Sequence, residues 1–290
     1  MIDLHCHLLP GIDDGAKDLE TALVMAGMAV SDGITVAACT PHILPGVYNN
    51  SGPSIIAATG HLQHEINQAG IPLRLVSGAD VHVAPDLVAR FAQGLALTIN
   101  RSRYLLLEPP HHVLPPRIED HIFGLQTAGY VPIITHPERL SWIENHYPLI
   151  RRLVYSGNLM QLTAGSLMGR FGRRPRYWAE RMLDDGLCHL LATDAHNVQQ
   201  RAPRLSDARE VAARRLGDQE ATNLVLTRPQ AILDDVAPSR LPPPPQQHVP
   251  APAKPGWSGW TALVRRLRRA GGPNAKNMRE PPVPTRLSSL

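Results

Sequence analysis

Six short apolar runs, spaced along the first two hundred residues, are separated by longer stretches in which apolar residues recur at helical spacing. The runs are Ile2-Asp3-Leu4, 34–40, 74–79, 104–107, 131–135 and 188–193. Between them, 18–30 places Leu19, Leu23, Met25, Ala26 and Val30 on one face and ends before Asp32-Gly33, as an amphipathic helix does. Further helices are predicted over 53–69, 85–92, 116–128, 144–156, 175–185, 203–216 and 219–226, several with proline in the first turn, where its missing N–H costs nothing. This alternation persists to about residue 235 and predicts a parallel α/β sheet, for which a single barrel domain is a suitable size. The segments after the strands, 8–17, 43–52, 109–115, 137–142 and 197–202, read as the loops on which barrel enzymes build their sites.

Composition changes the picture at the C-terminus. Twelve of the 28 prolines lie beyond residue 237, including Pro242 to Pro245. Such a segment reads as an extended linker. We therefore place a boundary at 237, with a domain over 1–237 and a Pro-rich, disordered tail over 238–290. The stretch 257–270, with Trp257, Trp260, Leu263, Val264 and Leu267 near one face and four arginines elsewhere, predicts a basic amphipathic helix suited to anionic lipid or a partner. The net charge of +4 divides into +8 on the tail and −4 on the body, so a nucleic-acid role for the whole protein is not expected. Three scattered cysteines, Cys6, Cys39 and Cys188, make no disulfide framework. No signal-like or membrane-spanning run is evident, and a cytoplasmic, reducing setting is expected.

The candidate chemistry lies at the strand ends. His5-x-His7 puts two imidazoles on one face of the first strand. Asp13-Asp14-Gly15 adds carboxylates on the following loop, and Asp194-x-His196 repeats the pattern after the last run. His42, Asp80, Glu108 and His136 stand at the other ends. In a parallel barrel these ends share one face, so the side chains converge. With one aspartate counted from the Asp13-Asp14-Gly15 loop, nine such ligands exceed one zinc-like site and predict two or three divalent ions, with metal identity open on ligand grounds. A multinuclear site suits phosphate-ester hydrolysis. Arg139 and Arg201, in the loops after His136 and Asp194, are the candidate phosphate contacts. A thiol-based tyrosine phosphatase needs arginine six positions past its cysteine, and Ile12, Pro45 and Asp194 stand there instead.

Met1-Ile2-Asp3-Leu4-His5-Cys6-His7, Asp13-Asp14-Gly15, Thr40-Pro41-His42, Gly78-Ala79-Asp80, 135–139, Ala164-Gly165-Ser166 with 169–172, and 193–197 together resemble the PHP-superfamily protein-tyrosine phosphatases of bacterial capsule and exopolysaccharide clusters. The resemblance runs in order from residue 1 to about 236. It implies a distorted (β/α)7 PHP barrel and a trinuclear, usually manganese-supported site, with Zn, Fe, Co or Mg as alternatives. The implied ligands are His5, His7, Asp14, His42, Glu108, His136, Asp194 and His196, and Arg139 and Arg201 fall on phosphate-binding positions. Asp80 departs from the family's bridging glutamate by one methylene. The implied substrate is phosphotyrosine on the tail of a bacterial tyrosine kinase at the inner face of the membrane, where the basic tail is expected to make peripheral contact. The alternatives are a small-molecule phosphoesterase acting on a histidinol-phosphate-like or sugar-phosphate ester, and a catalytically silent phosphotyrosine-docking module. His111 and His112 lie on a loop facing the site. Oligomeric state is not legible in the sequence.

Overall fold

The computed structural model describes residues 1–245. The chain runs β1 (Ile2–Cys6), α1 (Leu19–Ser31), β2 (Val36–Cys39), β3 (His42–Ile43), α2 (Gly52–Gln68), β4 (Arg74–Ser77), β5 (Asp80–His82), α3 (Leu87–Ala92), β6 (Tyr104–Glu108), α4 (Ile118–Thr127), β7 (Val131–Thr135), α5 (Ile143–Tyr155), β8 (Leu159–Thr163), α6 (Ala164–Leu167), α7 (Arg173–Asp184), β9 (Leu190–Ala192), α8 (Ser206–Leu216), α9 (Asp218–Thr222) and α10 (Arg228–Leu233). Among the described residues every pairing between these strands is parallel.

Two of the runs read as single strands are broken. Pro41, which has no N–H to give to a ladder, separates β2 from β3, and Gly78-Ala79 separates β4 from β5. A Cβ at Gly78 would lie 3.1 Å from the Thr40 methyl, so glycine lets the two breaks pass close together. The pieces stay in line, because β2 pairs with β4 and β3 with β5. Counted this way, seven strands follow chain order. The His7 N–H donates to the Ala195 carbonyl and the Asp194 N–H to the His5 carbonyl, bringing the end of the row back to its start. The result is the parallel α/β fold the sequence predicts, in two sheets, β1-β2-β4 and β3-β5-β6-β7-β8-β9, with a single bridge between Cys6 and Ala195 joining the ends.

The strand β8 is a seventh apolar run that the six-run reading omits. Its sequence Leu-Met-Gln-Leu-Thr carries a polar residue at its centre, yet all five residues are buried. Gln161 is tolerated because its Oε1 meets His5 Nδ1 at 2.7 Å. Side chains of the sheet's outer surface and of α1, α2, α5 and α7 form one large apolar core, while Ile2, Leu4, Tyr104, Leu106, Ile133 and Leu190 form a second, inside the row of strands. The first turn of α1 is fixed by Asp18, whose carboxylate accepts from the Thr21 N–H. The last helices continue from α9 through a π-helical turn at Asn223–Thr227 into α10, where the sequence predicts a single short helix.

Leu241 is 9 % exposed, and the Pro242 carbonyl accepts from Arg228 Nε at 2.6 Å. The expected helix at 257–270 lies outside the described residues. Among the described residues no helix is long and apolar enough to cross a membrane.

Candidate metal centre

The C-terminal ends of the strands place side chains by register. His42 pairs with Asp80 across β3 and β5, and His82 pairs with Glu108 across β5 and β6. At the ends of β7 and β9 the backbone turns sharply: His136 and Asp194 adopt left-handed conformations, with φ of 36° and 51°. Such conformations are costly for residues with a Cβ and cluster where side-chain placement matters more than backbone comfort. Here each one aims a titratable group into the same space.

All nine strand-end donors meet there. His5 Nε2 lies 3.2 Å from His7 Nε2, 3.4 Å from Asp80 Oδ2 and 3.5 Å from Asp194 Oδ1. Asp80 Oδ2 is also 3.6 Å from His42 Nδ1 and 3.9 Å from His136 Nε2, so the shorter aspartate still reaches the centre of the group. Asp14 Oδ1 faces His42 Nε2 at 3.5 Å and His196 Nε2 at 3.3 Å. Glu108 Oε1 lies 3.5 Å from His136 Nε2. Two ligands bound about 2.1 Å from a tetrahedral metal stand about 3.4 Å apart, which is the spacing seen here.

Two further observations favour cations at this place. Asp80 Oδ2, His42 Nδ1, Glu108 Oε2 and His196 Nε2 are buried without hydrogen-bond partners, each a cost of about 1–3 kcal/mol unless something binds them. The charge balance points the same way. Burial opposes a charge on His5, but Asp80 and Asp194 outweigh it and lift its pKa to about 10. At His42 burial is likewise overcome, by the Glu108 contact and the surrounding carboxylates, giving about 9. Metal ions would take the place of these protons. His7 and His136, pushed down to about 4 chiefly by burial, are neutral and ready to ligate.

The surrounding groups orient the donors. Asp13 and Asp14, adjacent in sequence, have different tasks. Asp13 Oδ2 meets His7 Nδ1 at 2.7 Å, an arrangement that leaves Nε2 free for a metal. Its Oδ1 accepts from the Gly15 N–H, and a Cβ at Gly15 would stand 2.3 Å from the His7 carbonyl oxygen, so only glycine lets this loop fold so tightly against His7. Gln161 does for His5 what Asp13 does for His7. Buried Glu138 accepts from the Thr163 N–H and the Ser166 hydroxyl, tying the turn after β7 to the end of β8.

Arg139 Nη1 donates to Asp194 Oδ2, and Arg201 Nη2 forms an ion pair with the same oxygen, each at 2.6 Å. The Arg139 guanidinium sits 4.3 Å from the centre of the Phe171 ring and that of Arg201 6.0 Å. A Cβ at Gly165 would come within 2.9 Å of Phe171, so this glycine makes room for the ring. A cavity of about 270 Å³ is lined by both arginines together with Asp14, His42, His82, Glu108, His111, His136 and Asp194. His111 Nε2 is 3.6 Å from Glu108 Oε1, whereas His112 is not part of this lining. His82, Gln161, Glu138 and Phe171 are participants that the sequence reading does not single out as site residues, and Asp13 it offers beside Asp14 without separating their tasks. For Asp13 and His82 the signal was available: one adjoins a candidate ligand, the other lies two residues past Asp80 on the same strand face. All three cysteines are buried, and burial pushes the Cys39 thiol up to about 12 and raises those of Cys6 and Cys188. None is a nucleophilic thiolate.

Comparison with known proteins identifies the family. The family described as "Capsular polysaccharide synthesis, CpsB/CapC" matches residues 1–234. The tyrosine-protein phosphatase YwqE of Bacillus subtilis (strain 168) is 34% identical over 245 residues, covering 84% of this chain and 96% of the relative. The tyrosine-protein phosphatase CpsB of Streptococcus pneumoniae is 25% identical over 244 residues, covering 81% and 99%. A solved structure from work on YwqE and S. pneumoniae CpsB, called there metal-dependent tyrosine phosphatases, superposes with a TM-score of 0.80 at 33% identity, covering 86% of this chain and all of the other.

Proposed function

Since the chain belongs to the CpsB/CapC family of capsular polysaccharide synthesis, we propose that it is a metal-dependent protein-tyrosine phosphatase. Its substrate would be phosphotyrosine on a bacterial tyrosine kinase that controls capsule or exopolysaccharide synthesis and export. The observation that carries this reading is the cluster of nine metal-type donors at the strand ends, five of which, Asp14, His42, Glu108, His136 and Asp194, line one cavity with Arg139 and Arg201, while every cysteine is buried.

The ligands would be His5, His7, Asp14, His42, Asp80, Glu108, His136, Asp194 and His196. All of them but Asp194 fall, together with His82 and His111, into overlapping groups that suit two or three divalent ions, manganese foremost. When bound, such ions supply Lewis-acid polarisation of the ester and an activated water near neutral pH. The chain's own part is positioning. Arg139 and Arg201 present guanidinium groups, always charged and shaped for oxyanions, to the non-bridging phosphate oxygens. Asp194 pins both at one oxygen, so the pair is organised before the phosphate arrives. The cytoplasm, at the inner membrane face where the kinase tail is presented, is the setting that matches this substrate.

Phe171 carries the arginine pair on its face, and a cation–π contact is worth about 0.5–2 kcal/mol. Phe171→Leu, which keeps an apolar side chain but removes the ring, is expected to raise KM for a phosphotyrosine peptide by about 2- to 30-fold with kcat within about twofold. Steady-state kinetics checks this, and an unchanged KM would show that the ring does not support the arginines.

The experiment that tests the function compares a phosphotyrosine peptide from a kinase tail with histidinol phosphate and a sugar phosphate as substrates for the metal-loaded protein. Preferential hydrolysis of the peptide supports the proposal. Turnover of the small esters alone would replace it with the metabolic phosphoesterase, and peptide binding without any turnover would leave a docking module.

A further inference from the structure

His82 lies two residues beyond Asp80 on β5, so both side chains leave the strand on the same face. The β5–β6 register sets it directly beside Glu108. Its side chain is 19 % exposed, lines the cavity, and places Nε2 in direct contact with Glu108 Oε2. His42 Nδ1 approaches the same oxygen at 3.1 Å. The donor atoms of His42, His82 and Glu108 all lie within 4.8 Å of one another. Of these, His42 Nδ1 and Glu108 Oε2 are buried without a hydrogen-bond partner.

His42 cannot serve both of its neighbourhoods. Its Nε2 belongs to the group formed with His7, Asp14 and His196, and a neutral imidazole has one lone pair to give. Glu108, in contrast, has an oxygen for each side: Oε1 faces His136 and His111, and Oε2 faces His42 and His82. A cation on the Oε2 side therefore has to take its nitrogen from elsewhere than His42, and His82 is the imidazole in place.

We propose that His82 is itself a metal ligand of this centre, binding a divalent ion together with Glu108 Oε2. This rests on the metal-dependent reading given under Proposed function and adds a tenth donor to the nine strand-end residues. It assigns the open side of the cluster, next to the cavity, to a ligand pair made by two neighbouring strands.

The test uses the full chain, stripped with a chelator and titrated with Mn²⁺ and with Zn²⁺, with metal content after desalting and binding isotherms as readouts. Three variants are compared with the parent: His82→Ala, His82→Gln and His136→Ala. Glutamine keeps an N–H donor for Glu108 but lacks the imidazole nitrogen, which separates ligation from hydrogen bonding. Both His82 variants are expected to bind the weakest ion at least about tenfold less tightly or to lose one equivalent on desalting. Far-UV circular dichroism should match the parent. Parent-like binding by His82→Gln would overturn the proposal and leave His82 as a hydrogen-bond partner of Glu108. Parent-like binding by both His82 variants would remove even that role. If His136→Ala and the parent alike bound no ion stoichiometrically, the metal-dependent reading itself would fail, a result distinct from either.

Discussion

Asp194→Asn is expected to lower kcat/KM on a phosphotyrosine peptide by about 10³-fold or more. One carboxylate performs two tasks at once. Oδ1 faces His5 Nε2 at 3.5 Å and His7 Nε2 at 3.6 Å, on the metal side. Oδ2 accepts from Arg139 and pairs with the Arg201 guanidinium. Its pKa is held well below the usual range even though burial, the largest influence, pushes upward, because His5 and Arg201 favour the charge. An asparagine has one oxygen for two duties, and its NH₂ would point at either the arginines or the metal-side nitrogens. Arg139→Ala removes a single phosphate contact and is expected to cost about 10²-fold. Parallel measurement of kinetics and metal content checks the ranking. An Asp194→Asn protein within tenfold of the parent would mean that the arginine pair and the metal ligands are not joined through this residue.

The largest effect on stability is expected far from the site, at Arg228. This arginine is 0 % exposed. It makes a two-point contact with Glu220, Nη1 to Oε1 at 2.7 Å and Nη2 to Oε2 at 2.9 Å, and donates further to the Pro242 and His189 carbonyls. It thereby ties α9 and α10, the segment after them and the start of β9 together. Arg228→Ala strands a buried carboxylate and two carbonyls, for which the expected loss is about 3–5 kcal/mol, or roughly 6–20 °C in melting temperature for a domain of this size. Replacing both partners, Arg228→Met with Glu220→Leu, is expected to restore most of that loss, because no buried charge is left unpaired. Thermal melts of the three proteins decide it. Equal destabilisation in the single and double variants would show that packing, rather than the buried charge, is what matters there.

The site was legible in the sequence to the extent that six of the apolar runs lead directly into a residue of metal-binding type. His5-x-His7 and Asp194-x-His196 announce themselves because side chains two apart on a strand share a face, and parallel strands then bring distant pairs together. What escaped has a physical reason in each case. The strand β8 ends in Thr163, followed by Ala164, with no donor to mark it, and Gln161 interrupts its apolar run; only the fold shows its Oε1 paired with His5. His82 escaped because Ile34–Thr40 and Arg74–Ala79 read as unbroken strands. The breaks at Pro41 and Gly78-Ala79 restart the ladder one step further on, so Asp80 opens β5 and His82 closes it within reach of Glu108. Residues chosen from Asp13-Asp14-Gly15 by residue type alone could not be told apart, because the difference between Asp13 and Asp14 lies in which imidazoles they meet across the loop.

The most direct test of the whole account is phosphotyrosine-peptide hydrolysis by the protein before chelation, after chelation and after return of Mn²⁺, with bound metal measured in the same samples. The account predicts that activity disappears with the metal and returns as two or three ions per chain are taken up, and that His136→Ala recovers neither. Undiminished hydrolysis by the metal-free protein would contradict it.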